Sequence, residues 1–271
     1  MTKNGYSKQE ILAQLAAMHA PRNGIVLMHS ALRLVGNVEG GGRGLLDTLI
    51  EYFTAEGGLF CVPAHTWANL KKEFVLDMTD PHTCLGAFPD LATADGRGVR
   101  SENPTHSMVV FGDRAKAEAF VQGELDVPSG TCPASCYGKL YRAGGHVLLV
   151  GVSHIRNTYL HCVEEMIGQQ NRLSPETREV RIKRASGEVV TRQIRTHKTD
   201  FTKDVSLRFS KYEMPFRYHG AITDGFLGNA PTQLCDAVKM KETIELIYRN
   251  SEGVDVLDTE LPIPQKFYCN K

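Results

Sequence analysis

Residues 25–63 read IVLMHSALRLVGNVEGGGRGLLDTLIEYFTAEGGLFCVP, and their pattern decides the fold. Ile25 to Met28 is a continuous apolar run, short enough to be a strand buried on both faces. It feeds His29-Ser30-Ala31-Leu32 and then a loop holding Gly36, Gly40, Gly41, Gly42 and Gly44. From Leu45 to Ala55, Leu46, Leu49, Ile50 and Phe53 recur at helical spacing, and Gly57 and Gly58 stop the helix. Leu59 to Pro63 reads as a second buried strand. Strand, glycine loop, helix and strand predict parallel neighbours in an α/β sheet with helices on both faces.

The flanks extend this pattern. Ser7 and Glu10 make a capping box for a helix over 7–19, with Ile11, Leu12, Leu15 and Met18 on one face. Met108–Phe111 and His146–Val152 are further strands, the second running through residues 153–157 into a helix from Thr158 to about Gly168. Glu179–His197 alternates around Gly187 and predicts an antiparallel hairpin. Pro231–Arg249 is expected to be a closing helix. Residues 65–104 lack periodicity and read as a disordered insert or a long loop over the site; Trp67, Phe74 and Phe88 favour an ordered loop. With no repeat or linker, 1–271 is expected to be a single domain. Its predicted class is a three-layer α/β/α fold with a mixed, mainly parallel central sheet plus an antiparallel hairpin.

Composition narrows the function. Lys plus Arg and Asp plus Glu are 31 each, so no cationic surplus is present for general nucleic-acid binding. No 18-residue apolar run suits a bilayer and residues 1–10 lack the apolar core of a secretory signal, so a cytoplasmic protein without membrane partners is expected. Seven scattered cysteines, an odd number, read as reduced thiols.

Three stretches carry candidate chemistry. The glycine loop lies past a strand end, where backbone N–H groups can meet a phosphate, yet it fits neither a GxGxxG fingerprint nor a Walker A loop. Arg33 and Arg43 beside it favour a phosphorylated ligand. Residues 100–107, with Arg100, Ser101, Asn103, His106 and Ser107, place a cation, hydroxyls and an imidazole just before a strand; a plain surface turn is the other reading. Thr158, His161, Glu164 and Glu165 share one helical face. His161 falls in the first turn, where the helix dipole disfavours imidazolium, and Glu164 one turn on can orient the ring. Cys162 lies about 100° around the helix from His161, against a Cys–His nucleophile pair. His65, His106, His154 and His161 at strand ends leave a metal cluster open, although no HExxH or paired zinc spacing exists.

Taken in order, these segments resemble the aminoglycoside 3-N-acetyltransferase family. The family's His-Ser-Ser-Leu and Gly-Val-Gly-Gly are matched by His29-Ser30-Ala31-Leu32 and by Gly36, Val38, Gly40 and Gly41. Its Arg-Ser-x-His-Pro-x-His-Ser is similar to Arg100–Ser107, with Asn103 in place of the first His. Its Thr-x-Leu-His-x-x-Glu stands here as Thr158, Leu160, His161 and Glu164, and residues 225–230 resemble its late glycine turn. The resemblance implies acetyl transfer from acetyl-coenzyme A to an aminoglycoside amine, with no metal. His161 would be the general base, Glu164 its partner, and Thr158, His106 or Ser107 oxyanion donors. The coenzyme would lie along His29, Ser30, Ala31, Leu32, Gly36, Val38, Gly40 and Gly41, with Arg100, Ser101 and Ser107 nearby. Asp77, Asp80, Glu102, Glu164, Glu165 and Asp224 are candidates to receive a polycationic acceptor. A coenzyme-binding protein without aminoglycoside activity, an enzyme acting on another amine, and a metal-dependent hydrolase remain alternatives, and the chain is expected to be a monomer or homodimer.

Overall fold

The computed structural model describes residues 5–71, 74–198 and 204–269. Chain order runs α1 (Lys8–Ala17), β1 (Ile25–Ser30), α2 (Leu32–Val35), α3 (Gly41–Thr54), β2 (Leu59–Pro63), β3 (Val75–Asp77), α4 (Ala87–Thr93), β4 (Val99–Arg100) and β5 (Met108–Phe111). It continues through α5 (Arg114–Val121), α6 (Cys136–Arg142), β6 (His146–Val150), α7 (Tyr159–Met166), β7 (Leu173–Lys183) and β8 (Val189–His197). The last elements are α8 (Glu213–Tyr218), β9 (Ile222–Leu227), β10 (Ala230–Asp236) and α9 (Ala237–Asn250).

Seven strands form one sheet in the order β4-β5-β2-β1-β6-β10-β9. β2, β1 and β6 are parallel, with Leu27 opposite Cys61 on one side and Val147 on the other. β5 and β10 flank them antiparallel, and the edge strands β4 and β9 reverse again, so five of the seven strands point one way. Side-chain alternation divides the apolar core in two. Val26, Met28, Phe60, Val62, Leu148 and Val150 pack against α1, α3 and α4; Leu27, Cys61, Val147 and Leu149 pack against α5, α6, α7 and α9. The expected three layers follow from that alternation. A second sheet, β3-β7-β8, holds the hairpin around Gly187, and β3 pairs parallel with β7.

Several expectations change in detail. The capping box of Ser7 and Glu10 forms as predicted. Gly41, Gly42 and Gly44 belong to the first turn of α3, four residues before the expected start, and residues 32–35 are helical, not loop. Gly44 is required there, because a Cβ would lie 2.1 Å from the Glu39 carbonyl oxygen. Residues 231–236 are a strand, not the start of a closing helix; Asp236 caps α9 by accepting from the Val238 and Lys239 N–H groups. Pro231 stands near the start of β10, opposite Phe226 of the edge strand. The 65–104 segment is ordered where described, contributing β3, α4 and β4. All seven cysteines are free thiols.

Phe60 is fully buried and stacks on Phe53 and Phe111 at 5.3 and 6.2 Å between centroids. Phe60→Ala should cost about 3–5 kcal/mol, as large-to-small aromatic core changes do. Phe226→Ala, at an exposed edge position, should stay within about 0.5 kcal/mol. Urea unfolding midpoints of the two variants measure the contrast.

Candidate active site

The parallel strands all end on one side of the sheet, where α/β proteins gather ligands. His29 lies near the end of β1, His65 two residues beyond β2, and His106 just before the antiparallel β5, so all three reach the same rim. After β6 the chain makes a short turn and enters α7, placing His161 in the helix's first turn. The hairpin of the second sheet brings His197, the last residue of β8, onto the same rim.

The rings form a continuous contact series. Trp67 lies 4.9 Å from His65, His65 5.1 Å from His106, His106 5.5 Å from His197, and His197 4.1 Å from His161, all between centroids. Phe209 closes the far side of His161 at 4.9 Å. Desolvation dominates their chemistry. Burial pushes His29 and His65 down to about 3, and His65 is lowered further by His29, His161 and Arg100. His106 and His197 are also held well below the usual imidazole value, first by burial and then by neighbouring histidines, with Arg172 adding to the effect on His197.

Hydrogen bonds set the orientation of these rings. The Thr131 hydroxyl donates to Glu165 Oε1 at 2.7 Å and lies 2.7 Å from His197 Nε2. With Glu165 ionised, that hydroxyl has no second proton to give, so Nε2 donates to it and Nδ1 of His197 stays bare. Ser129 donates to the other Glu165 oxygen. Burial nevertheless pushes the Glu165 carboxyl up from its ordinary value. Gly130 lies between these two hydroxyl residues because a Cβ there would sit 2.2 Å from both His106 Nδ1 and Thr105 Oγ1.

His161 Nδ1 lies 3.7 Å from Glu164 Oε2, beyond hydrogen-bond length, and both atoms are buried without a partner. The other Glu164 oxygen accepts from Arg172 Nε at 2.6 Å, which draws the carboxylate away from the ring. Thr158 is the N-cap residue of α7, and its hydroxyl makes no capping bond.

The 100–107 segment is mostly internal scaffolding. Arg100 donates to the carbonyls of Ala64, Met78 and Asp80. Ser101 accepts from the Met108 N–H, and the Ser107 hydroxyl donates to Ala64 O. Asn103 Oδ1 accepts from the Thr105 and His106 N–H groups, while its Nδ2 donates to Glu124 and Gly130 O. This cradle fixes His106 beside His65.

A groove of about 490 Å³ opens beside the end of β1, lined by Ser30, Ala31, Leu32, Arg33 and Leu34 and by residues before and within α4. Ser30 Oγ and His29 Nε2 are buried and unpartnered. Gly36 and Gly40 have positive φ; Val38 pairs with Tyr6 in an isolated bridge, and Gly41 opens α3. His154 is not part of the ring series: it is fully buried, 5.0 Å from Phe216 and 3.2 Å from Asn157 Nδ2. Among the described residues no group of three or more His, Cys, Asp and Glu is arranged to hold a metal. The sequence reading did not single out His197, Thr131 or Arg172, whose only signals were a histidine closing an alternating strand and isolated polar residues.

The family model for aminoglycoside 3-N-acetyltransferase matches residues 27–247. Aminoglycoside N(3)-acetyltransferase IV of Salmonella sp is 32% identical over 164 residues, 59% of each chain. The matched stretches span 59–66% of the length of the curated relatives. A solved AAC-IIIb binary complex with CoASH superposes with a TM-score of 0.78 at 22% identity, covering 93% of this chain and 99% of that one. AAC-VIa bound to sisomicin gives 0.74 at 19%, covering 92% and 99%. At these identities the solved structures establish a common fold.

The buried neutral histidines predict a pH dependence. Unfolded His29 and His65 take protons near pH 6.5 that the folded protein refuses until about pH 3. Their contribution is therefore fully present above pH 6.5 and is lost as the pH falls through that window. Each should contribute a slope of up to about 1.4 kcal/mol per pH unit. Urea unfolding at pH 7 and pH 5 should show the loss, and His65→Gln should flatten it; an unchanged midpoint counts against burial as the cause.

Proposed function

The chain belongs to the aminoglycoside 3-N-acetyltransferase family, and on that premise we propose that it transfers an acetyl group from acetyl-coenzyme A to an amine of an aminoglycoside. The observation that carries this reading is His161, 13% exposed in its side chain, with its Nδ1 facing the buried Glu164 carboxylate.

An alkyl amine is mostly protonated at neutral pH and attacks a carbonyl only after losing that proton. His161 takes it in this reading, and the imidazolium that forms is stabilised by Glu164. The neighbouring His197, kept neutral by burial, does not compete for the charge. The unbonded Thr158 hydroxyl and the unpartnered Ser30 hydroxyl supply donors for the oxygen on which negative charge develops. Ser107 and Arg100 are engaged with backbone carbonyls and act as scaffold.

The groove beside Ser30–Leu34 suits the coenzyme: it pairs apolar walls with the Arg33 guanidinium and a buried hydroxyl lacking a partner. Acetyl-coenzyme A, when bound, supplies the activated acyl group. For the acceptor, Asp77, Glu102, Glu164 and Asp224 are each paired with a Lys or Arg. Only Asp80 and Glu165 of the six carboxylates carry no such pair; Asp80 lies against His82, and Glu165 accepts from Thr131.

Thiol release from acetyl-coenzyme A, assayed across a panel of aminoglycosides and unrelated amines, tests the proposal. His161→Ala should lower turnover at least about 100-fold while leaving coenzyme binding close to wild type. Full turnover in that variant overturns the assigned base, and tight coenzyme binding with no turnover on any amine overturns the reaction.

A further inference from the structure

We propose that Arg172 and Asp255 are positioning residues for His161, acting through Glu164 as a charge triad whose Glu164 and Arg172 are buried and whose Asp255 is partly exposed. The inference rests on the reading of His161 as the general base. Arg172 precedes β7, and its side chain is 8% exposed. Its Nε donates to Glu164 Oε1 at 2.6 Å, and its two terminal nitrogens fork onto both oxygens of Asp255 at 2.7 and 2.8 Å. A carboxylate removed from water needs a cation, and the planar guanidinium serves two of them in one geometry.

The formal charges are two negative and one positive, leaving one net negative charge beside the imidazole. Protonation of His161 cancels it. Asp255 thus restores the anionic character that Arg172 alone would neutralise in Glu164. Asp255 is itself fixed: its Oδ1 accepts from the Leu257 N–H, and Arg208 and Lys211 clamp the carbonyls of Leu257 and Thr259. The C-terminal segment is in this way buckled to α7 and to the reacting group.

Other groups face His161 from every side. Glu165 follows Glu164 on α7, with its oxygens taken by Ser129 and Thr131. His197 stacks from β8, and the uncharged Phe209 covers the opposite side. His65 and His106 stand behind His197 and are held neutral by burial. Glu165 also acts on His161 through its charge, and the triad adds to it the one group whose net charge two substitutions can change in opposite directions.

Opposite substitutions should therefore move His161 in opposite directions. The probe is the ring titration of His161 in the full chain, followed by long-range proton–nitrogen NMR and assigned with His161→Gln. Asp255→Asn removes a negative charge without changing shape, and the midpoint should fall by about half a pH unit. Arg172→Gln removes the cation, and the midpoint should rise by a similar amount, whereas Arg172→Lys should leave it near wild type. The acid limb of kcat/KM should follow the same directions, with a lower maximal rate in Asp255→Asn. Unmoved midpoints, or shifts of one sign in both variants, overturn the inference while leaving His161→Ala to judge the base. If Arg172→Gln does not fold, Asp255→Asn alone decides. Normal turnover without His161 removes the base and with it the catalytic meaning of the triad.

Discussion

Removing a charged imidazole from water is the constraint on which the site is arranged. Four histidine rings and a tryptophan meet at the ends of the central strands, and burial keeps most of that group uncharged. Neutral rings can pack, tilted or edge-on, with centroids 4.1 to 5.5 Å apart; imidazolium rings at that distance would repel one another. The surrounding structure serves this condition. Asn103 holds the backbone under His106, Gly130 lets residues 129–131 pass against it, and the Thr131 hydroxyl lies 2.7 Å from both Glu165 Oε1 and His197 Nε2.

Much of the fold was legible in the sequence because its strands are buried on both faces and therefore read as unbroken apolar runs. Ile25–Met28, Leu59–Pro63 and Met108–Phe111 all occur as strands, and the run expected over His146–Val152 is one as far as Val150. Direction was harder to read. β5 is antiparallel to β2 although its sequence resembles that of the parallel strands, since periodicity reports burial and not polarity. The C-terminal error has a similar source. Residues 231–236 alternate weakly, and the helical pattern of α9 was extended backwards over them, whereas Asp236 marks the true cap.

The site was legible where its residues are local and illegible where they are distant. Thr158, His161 and Glu164 lie within seven positions, so helix geometry alone puts them together. His197 comes from the second sheet, 36 positions beyond His161, and Asp255 lies 83 positions beyond Arg172. No spacing rule links such pairs. Asn103 and Ser107 make hydrogen bonds that close on Glu124, Gly130 and Ala64 within the chain, partners from distant positions that no local pattern foretells.

Two adjacent glutamates on α7 show how one helix turn separates two chemical tasks. Glu164 meets a guanidinium, an ionic partner suited to keeping a carboxylate charged. Glu165 meets two hydroxyls, partners that orient it without neutralising it, and burial raises its proton affinity. Each glutamate lies beside a different ring of the pair: Glu164 faces His161, and Glu165 reaches His197 through Thr131. One ring thus borders an ionic network, and the other, held well below the usual imidazole value by burial, borders hydroxyls. The two rings lie 4.1 Å apart between centroids, so a charge on one would raise the cost of a charge on the other.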